Sequence, residues 1–162
     1  MIFDPSTPDI DDNQFPVEDW SASVYNGAKE IIPPNAPKAR GKGFFMRIFV
    51  DSDHAGVDNT RRSRTGFICF ANNSLIYWSS KRQGCAQTSS FGSEFTALKE
   101  CCEYSRGLRY KFRMMGIPIL SPTYIYADNQ SVLVNSSAPT SVLRKKSSSI
   151  AYHFVREGSS GC

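Results

Sequence analysis

Apolar and polar residues begin to alternate at Phe44, and the period of the pattern changes further along the chain. Residues 44–51 predict a strand, with Ile48 and Val50 near its end. Residues 53–64 are polar, carry Gly56 and Asp58-Asn59, and predict a loop. Residues 65–71 are β-rich through Phe67, Ile68 and Phe70. Asn72-Asn73-Ser74 predicts a turn, and residues 75–80, with Ile76, Tyr77 and Trp78, complete a hairpin. From Ser89 the spacing becomes helical: Phe91, Phe95, Leu98, Cys102, Leu108 and Phe112 share one face. Ser89 and Ser90 are candidate N-caps, and Gly116 followed by Pro118 ends the helix near Met115. Gly107, inside it, either weakens the helix or admits a neighbouring backbone. Residues 122–127 predict a fourth strand, 129–135 a short helix and 143–156 another. This order, three strands and then helix, strand, helix, helix, predicts an α/β fold on a mixed sheet.

Residues 1–43 read differently. Prolines stand at 5, 8, 16, 33, 34 and 37, and Asp9, Asp11 and Asp12 cluster early. Pro33-Pro34-Asn35-Ala36-Pro37 favours extended backbone over helix. The expected organisation is a proline-rich acidic connector or tail at 1–43, a packed domain at 44–158 and a short tail at 159–162. A chain of 162 residues, 40% hydrophobic and 21% charged, suits one soluble domain. No apolar run approaches the roughly 18 residues of a membrane span. Met1-Ile2-Phe3-Asp4-Pro5 lacks the basic start of a secretory signal. The five cysteines form no C-x-x-C pair, and read as reduced intracellular thiols rather than a disulfide framework or zinc site.

Charge sharpens the contrast. Residues 1–30 hold seven acidic groups and one basic, whereas residues 31–162 hold 18 basic and eight acidic. The basic clusters are Lys38-Arg40-Lys42, Arg61-Arg62-Arg64, Lys81-Arg82, Arg106-Arg109-Lys111-Arg113 and Arg144-Lys145-Lys146. Such a surface suits a polyanionic substrate. Three acids stand out within it. Asp51 ends the first strand, Asp128 follows the fourth, and Glu94 is expected in the first turn of the long helix. A carboxylate at the carboxyl end of a buried strand is poorly placed for stability, but that edge of an open α/β sheet is where ligands bind. If the first and fourth strands are neighbours, all three converge, which is costly unless cations neutralise them. Mg²⁺ or Mn²⁺ is the simplest cation, and two-metal phosphodiester chemistry the simplest use. Oxygens more than about 10 Å apart would defeat that expectation.

The motifs themselves carry a resemblance. Asp51-Ser52-Asp53-His54-Ala55-Gly56, Thr60-Arg61-Arg62-Ser63-Arg64-Thr65-Gly66, Tyr77-Trp78-Ser79-Ser80-Lys81-Arg82-Gln83, the 89–98 block, Tyr126-Ala127-Asp128-Asn129-Gln130-Ser131-Val132 and the 145–157 block stand in order. Together they resemble the ribonuclease H domain of copia-type retrotransposon Pol polyproteins, over roughly residues 44–158. Asp19-Trp20-Ser21 and Pro33-Pro34-Asn35 resemble the connector from reverse transcriptase.

The resemblance implies a ribonuclease H-like sheet, a three-stranded antiparallel meander plus a parallel strand, with helices on the faces. It implies metal-dependent hydrolysis of the RNA strand of an RNA–DNA hybrid by two Mg²⁺ (or Mn²⁺) ions. The catalytic and metal-binding acids it implies are Asp51, Glu94 and Asp128, with Asp51 bridging the ions. Asp53, two residues on and on the same face of a strand, is a candidate supporting participant, with orienting the turn the competing role. The order acid, Glu, acid departs from transposases and integrases, whose glutamate comes last. Ser89, Ser90 and Gln130 are candidates for minor-groove and sugar contacts, with N-capping the competing role for the two serines. Arg62, Lys81, Arg82 and Lys145 are candidate phosphate contacts. Tyr77, Trp78, Tyr126, Cys101 and Cys102 read as core, Tyr152-His153-Phe154 as a packing face and His54 as structural.

The family's fourth carboxylate, in an Asn-x-Ala-Asp motif beyond a fifth strand, has no counterpart in the sequence. The expectation is therefore a domain lacking the last strand and helix, with the fourth strand an exposed edge. A catalytically inactive remnant that at most binds nucleic acid is the alternative function. The implied partners are the hybrid and the reverse transcriptase domain of the same polyprotein, with no membrane. The implied location is intracellular, in a cytoplasmic retroelement particle or the nucleus.

Overall fold

The structure, a computed structural model, describes residues 4–57, 61–142 and 149–160. Period-two burial builds its sheet. β1 (Met46–Val57) buries Met46, Ile48 and Val50 on one face. β2 (Arg62–Ala71) buries Ser63, Thr65, Phe67, Cys69 and Ala71 on that same side. β3 (Ser74–Arg82) closes the hairpin, with a register shift between Cys69 and Phe70 on β2. β4 (Tyr124–Tyr126) lies at the other edge, in the order β3-β2-β1-β4. β1–β2 and β2–β3 are antiparallel, and β1–β4 is parallel. The architecture is thus a mixed α/β sheet, an antiparallel meander plus one parallel strand, consistent with a ribonuclease H-like fold.

α1 (Ser90–Met114) crosses β1 and β2 and covers the buried face with Phe95, Ala97, Leu98, Cys101 and Cys102. It ends in a Schellman motif: Ile117 N–H bonds to the Phe112 carbonyl and Gly116 N–H to that of Arg113. Gly116 takes φ +68°, a left-handed conformation that glycine adopts without Cβ strain. Gly107 is exposed, and an added Cβ would meet nothing within 4 Å, so no neighbouring backbone requires it. α2 (Gln130–Ser137) and α3 (Ser149–Ser160) pack on α1 and on each other. Among the described residues no α-helix packs on the opposite sheet face.

Two expectations about the strands change. The segment read as a loop at 53–64 is largely strand: β1 continues to Val57 and β2 starts at Arg62. Asp53 and Arg64 are register partners across the ladder there, and the register shifts between Asp53 and Val57. Asp58-Asn59 lies outside the described residues. Trp78, read as core, is 64% exposed. Consecutive strand residues face opposite ways, and Tyr77 takes the inward place, stacked on Tyr104 at 4.3 Å. Trp78 instead joins Ile68, Phe49 and Tyr126 in a register row across all four strands on the face opposite α1.

Residues of the N-terminal segment pack against the sheet edge and the helices. Phe15 meets the edges of Tyr124 and Tyr126. Trp20 is buried over the Arg156 guanidinium, 4.8 Å from its ring centre. Arg156, 2% exposed, donates to the carbonyls of Asn135, Ala138 and Pro139. Glu30 bonds Arg109 and Arg113 of α1. Periodicity cannot foresee such contacts, which join residues far apart in sequence.

Candidate active site

The β1–β4 register sets the site. Phe49 is the last β1 residue paired with β4, opposite Tyr126. Asp51 and Asp128 each lie two residues beyond that pair, leaving neighbouring parallel strands about 4.8 Å apart. The start of α1 supplies the third acid. Ser89 caps it, accepting from Gly92 N–H at 3.2 Å. With the helix beginning at Ser90, Glu94 sits just past the first turn rather than within it.

One carboxylate oxygen from each of Asp51, Glu94 and Asp128 lies within 4.8 Å of the others. Asp51 and Asp128 are exposed, and Glu94 is half-buried. Asp51 Oδ1 accepts from Ser52 N–H at 2.7 Å. Burial raises the Glu94 pKa above the ordinary carboxylate value; Ser52 opposes this, and the charges of Asp128 and Asp51 add to it. Among the described residues no salt bridge joins any of the three to a cationic side chain. The donor set therefore fits a hard divalent cation: convergent oxygen ligands and negative charge that no neighbouring cation neutralises.

The other expected site residues fall into groups. Asp53 is outside the trio, and its carboxylate folds over Gly56, occupying the space a side chain there would need. Lys81 and Arg82 lie one and two register positions beyond the row Asp51–Gly66–Ser80, two strands or about 10 Å from β1. Both are exposed, and Arg62 is half-buried at the start of β2. Ser89 serves as the N-cap, and Ser90 accepts the Ser93 hydroxyl at its carbonyl. Gln130 is exposed as the first residue of α2, which Asn129 caps. Lys145 lies outside the described residues. His54 is 3.4 Å from the Ser63 hydroxyl. The Arg106–Arg113 cluster is engaged with Glu157 and Glu30.

Two neighbours of the site were not singled out from the sequence. Ser52 touches Glu94 as well as Asp51, and only its place between two aspartates marked it. Gln83, a buried amide after β3, gave no signal beyond ending a polar run.

No protein-family model matches the chain. Residues of the chain are similar to the "Retrovirus-related Pol polyprotein from transposon RE1" of Arabidopsis thaliana, 27% identical over 117 residues. That match covers 72% of this chain and 8% of the relative. The "Retrovirus-related Pol polyprotein from transposon TNT 1-94" of Nicotiana tabacum is also 27% identical over 117 residues, covering 72% of this chain and 9% of the relative. An uncharacterized mitochondrial protein of Arabidopsis thaliana is 47% identical over 53 residues, 33% of this chain and 22% of its own length. The chain thus spans under a tenth of the polyproteins it matches, and its homologues include retrovirus-related Pol polyproteins of transposons, at low identity.

Proposed function

We propose that the chain is the ribonuclease H module of a retroelement polyprotein, hydrolysing the RNA strand of RNA–DNA hybrids. The observation that carries this reading is the convergence of Asp51, Glu94 and Asp128 oxygens within 4.8 Å. The similarity to Pol polyproteins supports it independently. These three acids would hold two Mg²⁺ (or Mn²⁺) ions, which supply activation of the attacking water and stabilisation of the leaving oxygen.

The chain's own residues position the reaction. Asp51 and Asp128 leave adjacent strands of one sheet, and Glu94 stands on a capped helix, so the three carboxylates are set before substrate arrives. Ser52 N–H orients Asp51 by donating to its Oδ1. Lys81 and Arg82, two strands from Asp51, would meet the phosphate backbone at a distance from the acids, with Arg62 and Lys145 as further contacts. Ser89, Ser90 and Gln130 offer small donors and acceptors to the sugar edge, where 2′-hydroxyls distinguish RNA from DNA. The domain spans 44–158 in this reading, and 1–43 connects it to a reverse transcriptase domain of the same polyprotein. No described helix is long and apolar enough to cross a membrane.

The test is cleavage of a labelled RNA–DNA hybrid by purified protein with Mg²⁺. Cleavage that Asp51→Asn and Glu94→Gln both abolish supports the reading. Equal activity in those variants rejects the site, and salt-steep hybrid binding without cleavage replaces the enzyme with a nucleic-acid-binding remnant.

A further inference from the structure

Gln83 follows the last residue of β3 and is 1% exposed, a rare place for a primary amide. Its backbone N–H donates to the Ser63 carbonyl at 2.8 Å, holding it beside β2. Its Nε2 donates to Thr65 Oγ1 at 3.1 Å and to the Ser93 carbonyl at 2.9 Å. A carbonyl only accepts, so the nitrogen must face Ser93. Thr65 is the register partner of Ser52, the residue after Asp51, and Ser93 is the residue before Glu94. One amide thus ties the strand beside Asp51 to the helical segment carrying Glu94.

The same side chain carries a cost. Gln83 Oε1 is buried without a hydrogen-bond partner, which destabilises by about 1–3 kcal/mol. Packing alone would be served by a methionine of similar length, with no orphan acceptor. An orphan that persists beside a functional cluster calls for an explanation in geometry. The surrounding contacts are tight as well. Ser93 is fully buried and donates its hydroxyl to the Ser90 carbonyl at 2.8 Å. Gly92 leaves room for Gln87, whose Oε1 would stand 2.9 Å from an added Cβ. The start of α1 is seated against the segment after β3.

We propose that Gln83 is a positioning residue for the acid cluster: by bonding Thr65 and Ser93 together it sets where Glu94 stands relative to Asp51 and Asp128. The inference rests on the reading of these acids as divalent-ion ligands.

Mn²⁺ binding to the full chain, followed by electron paramagnetic resonance, tests it in the parent, Gln83→Met, Glu94→Gln and the double variant. Gln83→Met weakens Mn²⁺ binding roughly tenfold while the cooperative melt is retained. In the Glu94→Gln background it adds nothing, because the group it positions is gone. Parental affinity in Gln83→Met, or a full further loss in the Glu94→Gln background, overturns the proposal. Amide hydrogen exchange without metal is the second measurement. Amides of residues 94–97 exchange faster in Gln83→Met while those of 109–113 do not, and unchanged exchange at 94–97 also overturns the tie. Absence of Mn²⁺ binding by the parent overturns the ion-ligand reading instead, and exchange alone then decides the role of Gln83. Should Gln83→Met not melt cooperatively, Gln83→Glu, of the same size, takes its place with the same expectations at neutral pH.

Discussion

Two charge clusters in this molecule are built on opposite terms. Just past the last β1–β4 pair, Asp51 and Asp128 meet Glu94 of α1 and bring like charges together, with no described cation paired to them. Where the connector meets the helices, Arg156 is enclosed by three carbonyls and the rings of Trp20, Tyr25 and Tyr152. Glu30 is likewise met by two guanidinium groups. The second arrangement meets most of its polar groups internally, leaving only Nε of Arg156 and of Arg113 without a partner among the described residues. The first leaves charge over for something outside the protein. What separates the two clusters is whether the partners are already present.

The largest effect should come from breaking the satisfied cluster. Arg156→Met removes the donor to three carbonyls and the cation beneath Trp20, and should lower unfolding free energy by about 3 kcal/mol in urea denaturation. Arg156→Lys should recover little of it, since an ammonium cannot reproduce the planar fork. The acid cluster should answer in reverse. Asp51→Asn should reduce hybrid cleavage at least about a hundredfold, with a melting temperature equal to or above the parent's, because it relieves repulsion. A large loss of stability there would erase the distinction between the clusters.

Acidification sharpens it further. Burial alone would raise the Glu30 pKa, but the hydrogen bonds and charges of Arg109 and Arg113 hold it down to about 2 from 4.5. Its contribution is present above pH 4.5 and is lost as pH falls toward 2. Solvent screening limits it to about 1 kcal/mol. Glu94 has its pKa raised, so its contribution is present below the unfolded value of 4.5 and is lost as pH rises through the folded value. At pH 7, Glu30→Gln should therefore be less stable than the parent and Glu94→Gln more stable. Both differences should shrink on acidification, read from melting curves in metal-free buffer. The smallest effect concerns neither cluster: Gly107→Ala, in open space within α1, should stabilise by about 0.5–1 kcal/mol.

The meander, the long helix and its stop at Gly116 were legible because each rests on local pattern: period two, period near 3.6, and a glycine free to adopt positive φ. Asp51 and Asp128 were legible because each follows an apolar run, and Glu94 because it stands near the start of the helical pattern; the parallel pairing of β1 with β4 brings the two aspartates together as adjacency requires. The length of β1 was not legible, since Asp53–Arg64 pairing depends on two strands at once. Nor was the packing of Trp20 on Arg156 or of Gln83 on Ser93. Hydrophobic pattern reports which residues are buried, not which distant polar atoms they meet. Trp78 failed for a simpler reason: two adjacent aromatics on a strand compete for one inward position, and composition cannot choose the winner.

The chain has two tryptophans, and the fold gives them opposite surroundings. Trp20 is 9% exposed against a guanidinium, while Trp78 stands in water at 64%. Intrinsic fluorescence of the native chain should therefore be a sum of a blue emission and a red one. Peeling the N-terminal strap away would redden only the first, so a single lamp and no added dye would tell its release from melting of the sheet.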